Sequence, residues 1–191
     1  NALSAGTAGY RVMDWQGTGW LNGAEWLASP NFGERPAEEA VSLIVLHNIS
    51  LPPDEFGGDW VEKFFLNVLD PQAHSYFATI AEAQVSAHFY VRRDGRVIQF
   101  VGCDQRAWHA GRSQWCEREN CNDYSVGIEL EGSDTQPFTA AQYLALWAVI
   151  DALQRRYPIA AIAGHSDIAP GRKTDPGPCF DWSAVRARYP A

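Results

Sequence analysis

The run Val41–Asn48, "VSLIVLHN", constrains the fold more than any other stretch of this chain. It is short, rich in β-branched and apolar residues, and closes on the polar pair His47 and Asn48. That pattern predicts a strand buried on both faces, which belongs inside a sheet and not at its edge. Such a strand needs neighbours, and the chain supplies them. "YSVGIELEG" (Tyr124–Gly132) and "IAAIAGH" (Ile159–His165) read as further strands, the latter running into a loop. Gln84–Val101 reads as a hairpin closed by a two-residue Asp94-Gly95 turn. The cover is helical. Thr139–Tyr157 keeps Tyr143, Leu146, Trp147, Ile150 and Leu153 on one face, opens on a Thr139/Gln142 capping box and stops at Pro158. Asp59–Asp70 reads as a helix capped by Asp59 with Trp60, Phe64 and Val68 in line, and Asp181–Tyr189 as a short final helix. Strands alternating with helices around an internal hairpin predict an α/β single domain, a central mixed β-sheet flanked by α-helices. Asn1–Glu39 lacks periodicity and reads as irregular covering chain, laying Trp15, Trp20, Trp26 and Phe32 over the core.

Charge and length narrow the function classes. A chain of 191 residues is one domain, able to bury roughly 70% of its unfolded surface. Its net charge of -8, from 15 Lys+Arg against 23 Asp+Glu, argues against a nucleic-acid partner or an anionic lipid surface. No apolar run is long enough to span a membrane, and the first residues lack a basic-then-apolar leader pattern. Cys103, Cys116, Cys121 and Cys179 show no CxxC spacing. They read as reduced thiols of a cytoplasmic protein, with two disulfides outside the cytoplasm as the alternative.

Chemistry-bearing residues gather at strand ends, where α/β folds place their sites. His47 closes one strand, His165 closes another, and Asp175 follows in the turn "GRKTDPGP". Two imidazoles and a carboxylate suit zinc and leave a fourth position open, the catalytic arrangement. The ordinary alternative is a strand-end hydrogen bond for His47 and an Asx turn before Pro176 for Asp175. Glu129, inside "GIELEG", shares a strand face with Glu131 and reads as a general base or as a wet or salt-bridged carboxylate. Lys173 beside such a site could stabilise oxyanion charge, or be a plain loop lysine, and Arg172 is similar. In "AWHAG", His109 stands among small residues that admit a ligand, or is simply packed locally, and Trp108 offers a stacking face. His88 alternates with Phe89 and reads as packing or hydrogen bonding.

Read together, "LHNISLPP", "FGG", "DPQAHSYF", "VSAHFYVRRDG", "AWHAG", "CNDYSVGIELEG" and "HSDIAPGRKTDPGPCFDW" resemble the cytoplasmic N-acetyl-anhydromuramyl-L-alanine amidases of Gram-negative bacteria. Their wider superfamily includes peptidoglycan-recognition proteins and phage amidases. The likeness spans Val41 to Trp182, and makes 41–191 the zinc amidase catalytic domain behind a covering segment, 1–40. It implies zinc on His47, His165 and Asp175, Glu129 activating water, and Lys173 stabilising a tetrahedral oxyanion. Asn48, Ala107, Trp108 and His109 fall where relatives line the substrate site. The bond cut would join the lactyl group of anhydromuramic acid to L-alanine in a small muropeptide, with no partner chain demanded. The pattern departs at Gln84 and Asn120, uncharged here where relatives place arginines on the peptide's carboxylates; Arg172, Arg112 or Arg118 could replace them.

Overall fold

The computed structural model describes residues 10–191, so the first nine residues of the covering segment lie outside the described residues. A six-stranded sheet organises the molecule. Its strands are β1 (Glu25–Trp26), β2 (Leu43–Ile49), β3 (Phe89–Val91), β4 (Val97–Gln99), β5 (Ser125–Glu131) and β6 (Ala161–Gly164). In space they run β6-β2-β5-β3-β4-β1. The four strands β6, β2, β5 and β3 are parallel; β3 and β4 form the antiparallel hairpin; β1 adds in parallel to β4. The expected mixed sheet is present, and the β-branched run that opened the sequence argument lies inside it, between β6 and β5.

Alternation of side chains sorts the two faces. Ile44, Leu46, Phe89, Val91, Val126, Ile128 and Leu130 form one core with helix α3 (Ala140–Arg156) and the final helix α5 (Trp182–Arg188). The α3 capping box is made as the sequence predicts: Gln142 N–H donates to Thr139 Oγ1, and Thr139 N–H to Gln142 Oε1. The opposite face carries Leu43, Val45 and Tyr90, covered by α1 (Trp60–Phe65), α2 (Phe77–Ile80) and loops. β6 passes into a one-turn helix, α4 (His165–Ile168), where the sequence suggested a loop.

Four details differ from the sequence reading. Helix α1 is only six residues long; Asn67 turns to a positive φ of 62°, and Val68 is left 62% exposed. Asp59 makes no side-chain cap and instead faces Lys63 at 3.3 Å. The hairpin closes through Arg93-Asp94-Gly95: Gly95 N–H donates to Arg92 O, Arg92 N–H donates to Arg96 O, and Gly95 has φ 88°. That is a three-residue loop with a glycine bulge, and its left-handed position explains the glycine. The N-terminal segment contributes β1 and buries Met13 and Leu21, whereas Trp26 and Phe32 stay exposed.

Candidate metal centre

All four parallel strands end on one side of the sheet, and register decides what meets there. Glu129 of β5 pairs with His47 of β2. Gly164 of β6 pairs with Leu46, so His165, the next residue, arrives beside His47. The loop after α4 folds back, tied by Ser166 N–H to Asp175 O, and brings the Asp175 carboxylate to the two rings. His47 Nδ1 lies 3.0 Å from His165 Nδ1 and 2.9 Å from Asp175 Oδ2, and His165 Nδ1 lies 3.2 Å from Asp175 Oδ2.

Three donors this close fit a metal ion. Bonds of about 2.0–2.1 Å in a tetrahedral zinc site separate ligand atoms by roughly 3.3 Å. Both rings are oriented from behind. His165 Nε2 donates to Ala110 O at 2.9 Å, which leaves Nδ1 with its lone pair. His47 Nε2 lies 2.9 Å from His109 Nδ1, and His109 Nε2 lies 3.1 Å from Ser125 Oγ. Burial holds His47 below the usual imidazole range, against the pull of Asp175, so the ring is neutral and free to coordinate. Burial raises the Asp175 carboxyl, but the hydrogen bonds with His165 and His47 outweigh it and keep the group ionised.

Beside the cluster, Glu129 Oε1 is 3.8 Å from His47 Nδ1, and its Oε2 is buried with no hydrogen-bond partner among the described residues. Burial pushes Glu129 well above the ordinary carboxylate range; Asp175 adds to the shift and Lys173 opposes it. Glu131, on the same strand face, behaves differently. It is 2% exposed, accepts from Gly57 N–H at 2.8 Å and Arg93 N–H at 2.9 Å, and faces Arg92. Glu131 is thus a structural carboxylate, while Glu129 has an unspent oxygen.

These groups open into a cavity of about 620 Å³. Its polar wall holds His47, Asn48, Glu129, Arg172, Lys173 and Asp175; its apolar wall holds Leu51, Phe64, Phe65, Tyr76 and Ile80. Trp108 lines it too. Asn48 spends its amide on Asp134 Oδ1 at 2.7 Å and Pro176 O at 3.0 Å, pinning the loop that carries Asp175. Arg172 Nη2 donates to Ala110 O and Arg112 O.

Three residues named for substrate contact do not line this cavity. Ala107 is fully buried in a two-residue ladder with Phe32 and does not line the cavity. Arg118 pairs with Glu39 and covers the Tyr124 ring, and Arg112 lines a neighbouring groove with Asn120. The sequence reading also missed Arg35. Its guanidinium donates to the carbonyls of Cys103, Asn122, Asp123 and Ser125, clamping the start of β5. The four cysteines are free thiols.

The mixed sheet with this cluster at its strand ends defines an α/β fold of the zinc amidase type. The family model described as N-acetylmuramoyl-L-alanine amidase matches residues 37–178, and the chain belongs to that family. It is similar to the 1,6-anhydro-N-acetylmuramyl-L-alanine amidase AmpD of Escherichia coli, at 56% identity over 170 residues, 88% of this chain and 93% of that one. A crystal structure of a selenomethionine AmpD derivative superposes with a TM-score of 0.87 at 56% identity, covering 90% of this chain and 97% of that one. The amidase AmiD of Escherichia coli, solved with anhydro-N-acetylmuramic acid-L-Ala-D-γ-Glu-L-Lys, is 30% identical with a TM-score of 0.58. That match covers 83% of this chain and 65% of AmiD.

Proposed function

We propose that this chain is a zinc-dependent amidase of cell-wall recycling. Its substrate is a small anhydromuropeptide, and the bond it hydrolyses joins the lactyl group of 1,6-anhydro-N-acetylmuramic acid to L-alanine. It works in the cytoplasm as a monomer, and no helix among the described residues is long and apolar enough to cross a membrane. The observation that carries the reading is the His47–His165–Asp175 triangle with the unpartnered Glu129 oxygen beside it. The 56% identity to AmpD over most of both chains supports the substrate.

His47 and His165, through Nδ1, and Asp175, through Oδ2, would hold a zinc ion. A zinc ion there would supply Lewis acidity toward the amide carbonyl and a neighbouring water. The Glu129 carboxylate accepts a proton from that water as it attacks the carbonyl carbon. The same carboxyl then returns the proton to the L-alanine nitrogen as the C–N bond breaks, leaving a lactyl carboxylate and a free amine. Lys173, exposed on the cavity wall, faces the carbonyl oxygen as it gains negative charge. Trp108 offers a face to the sugar, and Arg172 brings positive charge to the acidic stem peptide.

The direct test compares anhydromuramyl-tripeptide, its non-anhydro counterpart and intact sacculi, with metal content measured on the same sample. One zinc per chain and preferred release of tripeptide from the anhydro substrate are expected. Active protein without metal, or equal cleavage of sacculi, overturns the reading.

A further inference from the structure

His109 stands in the cavity wall, yet its polar atoms point away from any substrate. The ring is buried, meets the His47 ring edge-to-face at a centroid distance of 5.1 Å, and spends both nitrogens inside the protein. The order of donors along this chain is fixed by the atom at one end. His47 offers Nδ1 to the metal cluster, so its Nε2 carries the hydrogen. His109 Nδ1 must then accept that hydrogen, and His109 Nε2 must donate onward to Ser125 Oγ. The backbone also locks the ring: His109 N–H donates to Asn122 Oδ1 at 3.2 Å. On the far side lies Gly127, where a Cβ would sit 2.4 Å from His109 Cγ. A glycine inside a buried strand is unfavourable, and here it makes the room that this ring occupies.

We propose that His109 is a positioning residue for the metal ligand His47, and not a substrate contact. It fixes the tautomer and the tilt of the His47 ring through a hydrogen bond that Ser125 anchors from behind. The proposal rests on the metal reading of His47, His165 and Asp175. It adds a residue that touches neither metal nor the reacting bond and yet sets how tightly the metal is held. Partners behind metal-ligating histidines typically affect affinity by about 10–100-fold.

The test is zinc affinity by chelator competition on the full chain, for wild type, His109→Phe, His109→Asn and Ser125→Ala, with KM and kcat alongside. His109→Phe keeps an aromatic ring but loses the acceptor, and should weaken zinc by about 10–100-fold. His109→Asn places Oδ1 where Nδ1 stood, and should recover most of that loss. Ser125→Ala leaves the cavity untouched, carries the test should His109→Phe fail to fold, and should weaken zinc several-fold. Unchanged zinc affinity in the folded variants, with a raised KM for His109→Asn, would make His109 a substrate contact and overturn the proposal. A wild type that binds no zinc would instead overturn the metal reading itself.

Discussion

Arg35 is the most demanding test of how the N-terminal segment supports the site. Its guanidinium donates to Cys103 O at 2.9 Å, Ser125 O at 2.9 Å, Asn122 O at 3.1 Å and Asp123 O at 3.2 Å. Among the described residues no carboxylate forms an ion pair with it, and burial lowers its pKa. Arg35→Met keeps the stem and removes every donor. Asn122 and Asp123 are only part-buried and can turn to water, but Cys103 and Ser125 are fully buried. A buried acceptor left without a partner costs about 1–3 kcal/mol, so two cost roughly 2–6. Returning the arginine's buried charge to the reckoning favours the lower half, about 2–4 kcal/mol. For a chain of this length that is a fall in Tm of roughly 5–15 °C. Urea and thermal melts on chelator-treated protein measure it without the contribution of bound metal. Arg35→Lys, with one ammonium for several carbonyls, should fall between. A loss below about 1 kcal/mol for Arg35→Met would refute the assignment of Arg35 as the clamp on β5.

Two further substitutions probe the surroundings of the site. Gly127→Ala forces its new methyl against the His109 ring at 2.4 Å, which should cost about 1–3 kcal/mol and weaken zinc; unchanged melting and unchanged affinity would contradict the packing described. His88 donates to Gln105 O and accepts from Gly127 N–H, and burial holds its pKa at about 3. Above pH 6.5 both folded and unfolded states are neutral there, so its contribution is complete. Below that, the unfolded chain binds the proton first, and stability falls by about 1.4 kcal/mol per pH unit until pH 3. Wild type should therefore lose about 2 kcal/mol more than His88→Gln between pH 7 and pH 5 in urea melts; parallel pH profiles would contradict it.

The elements legible from the sequence are those whose local pattern agrees with their tertiary setting. Leu43–Leu46 carries its burial in its composition, and α3 carries its own start in Thr139 and Gln142. Helix α1 was overread because the spacing of Trp60, Phe64 and Val68 says nothing of Asn67, whose positive φ turns the chain out. The metal cluster was legible as a set of residue types at strand ends, but its union depends on the register of β6 and β5 against β2. Glu129 and Glu131 are indistinguishable by alternation alone. Only the loops carrying Gly57 and Arg93 show which of the two is spent. His109 shows the same limit: its small neighbours are visible in the sequence, but its hydrogen bonds to His47 and Ser125 and its packing against Gly127 come from distant strands. Arg35 lay in a stretch without periodicity, and a clamp on four carbonyls leaves no pattern along the chain.

The central claim is that Glu129 moves the proton while His47, His165 and Asp175 hold the metal. Glu129→Gln separates the two, since it keeps the side chain's shape and removes its basicity. The account predicts one zinc per chain at wild-type affinity, with turnover of anhydromuramyl-tripeptide lowered by about 10²–10⁴-fold. Near-wild-type turnover, or loss of the zinc with the charge, would contradict it.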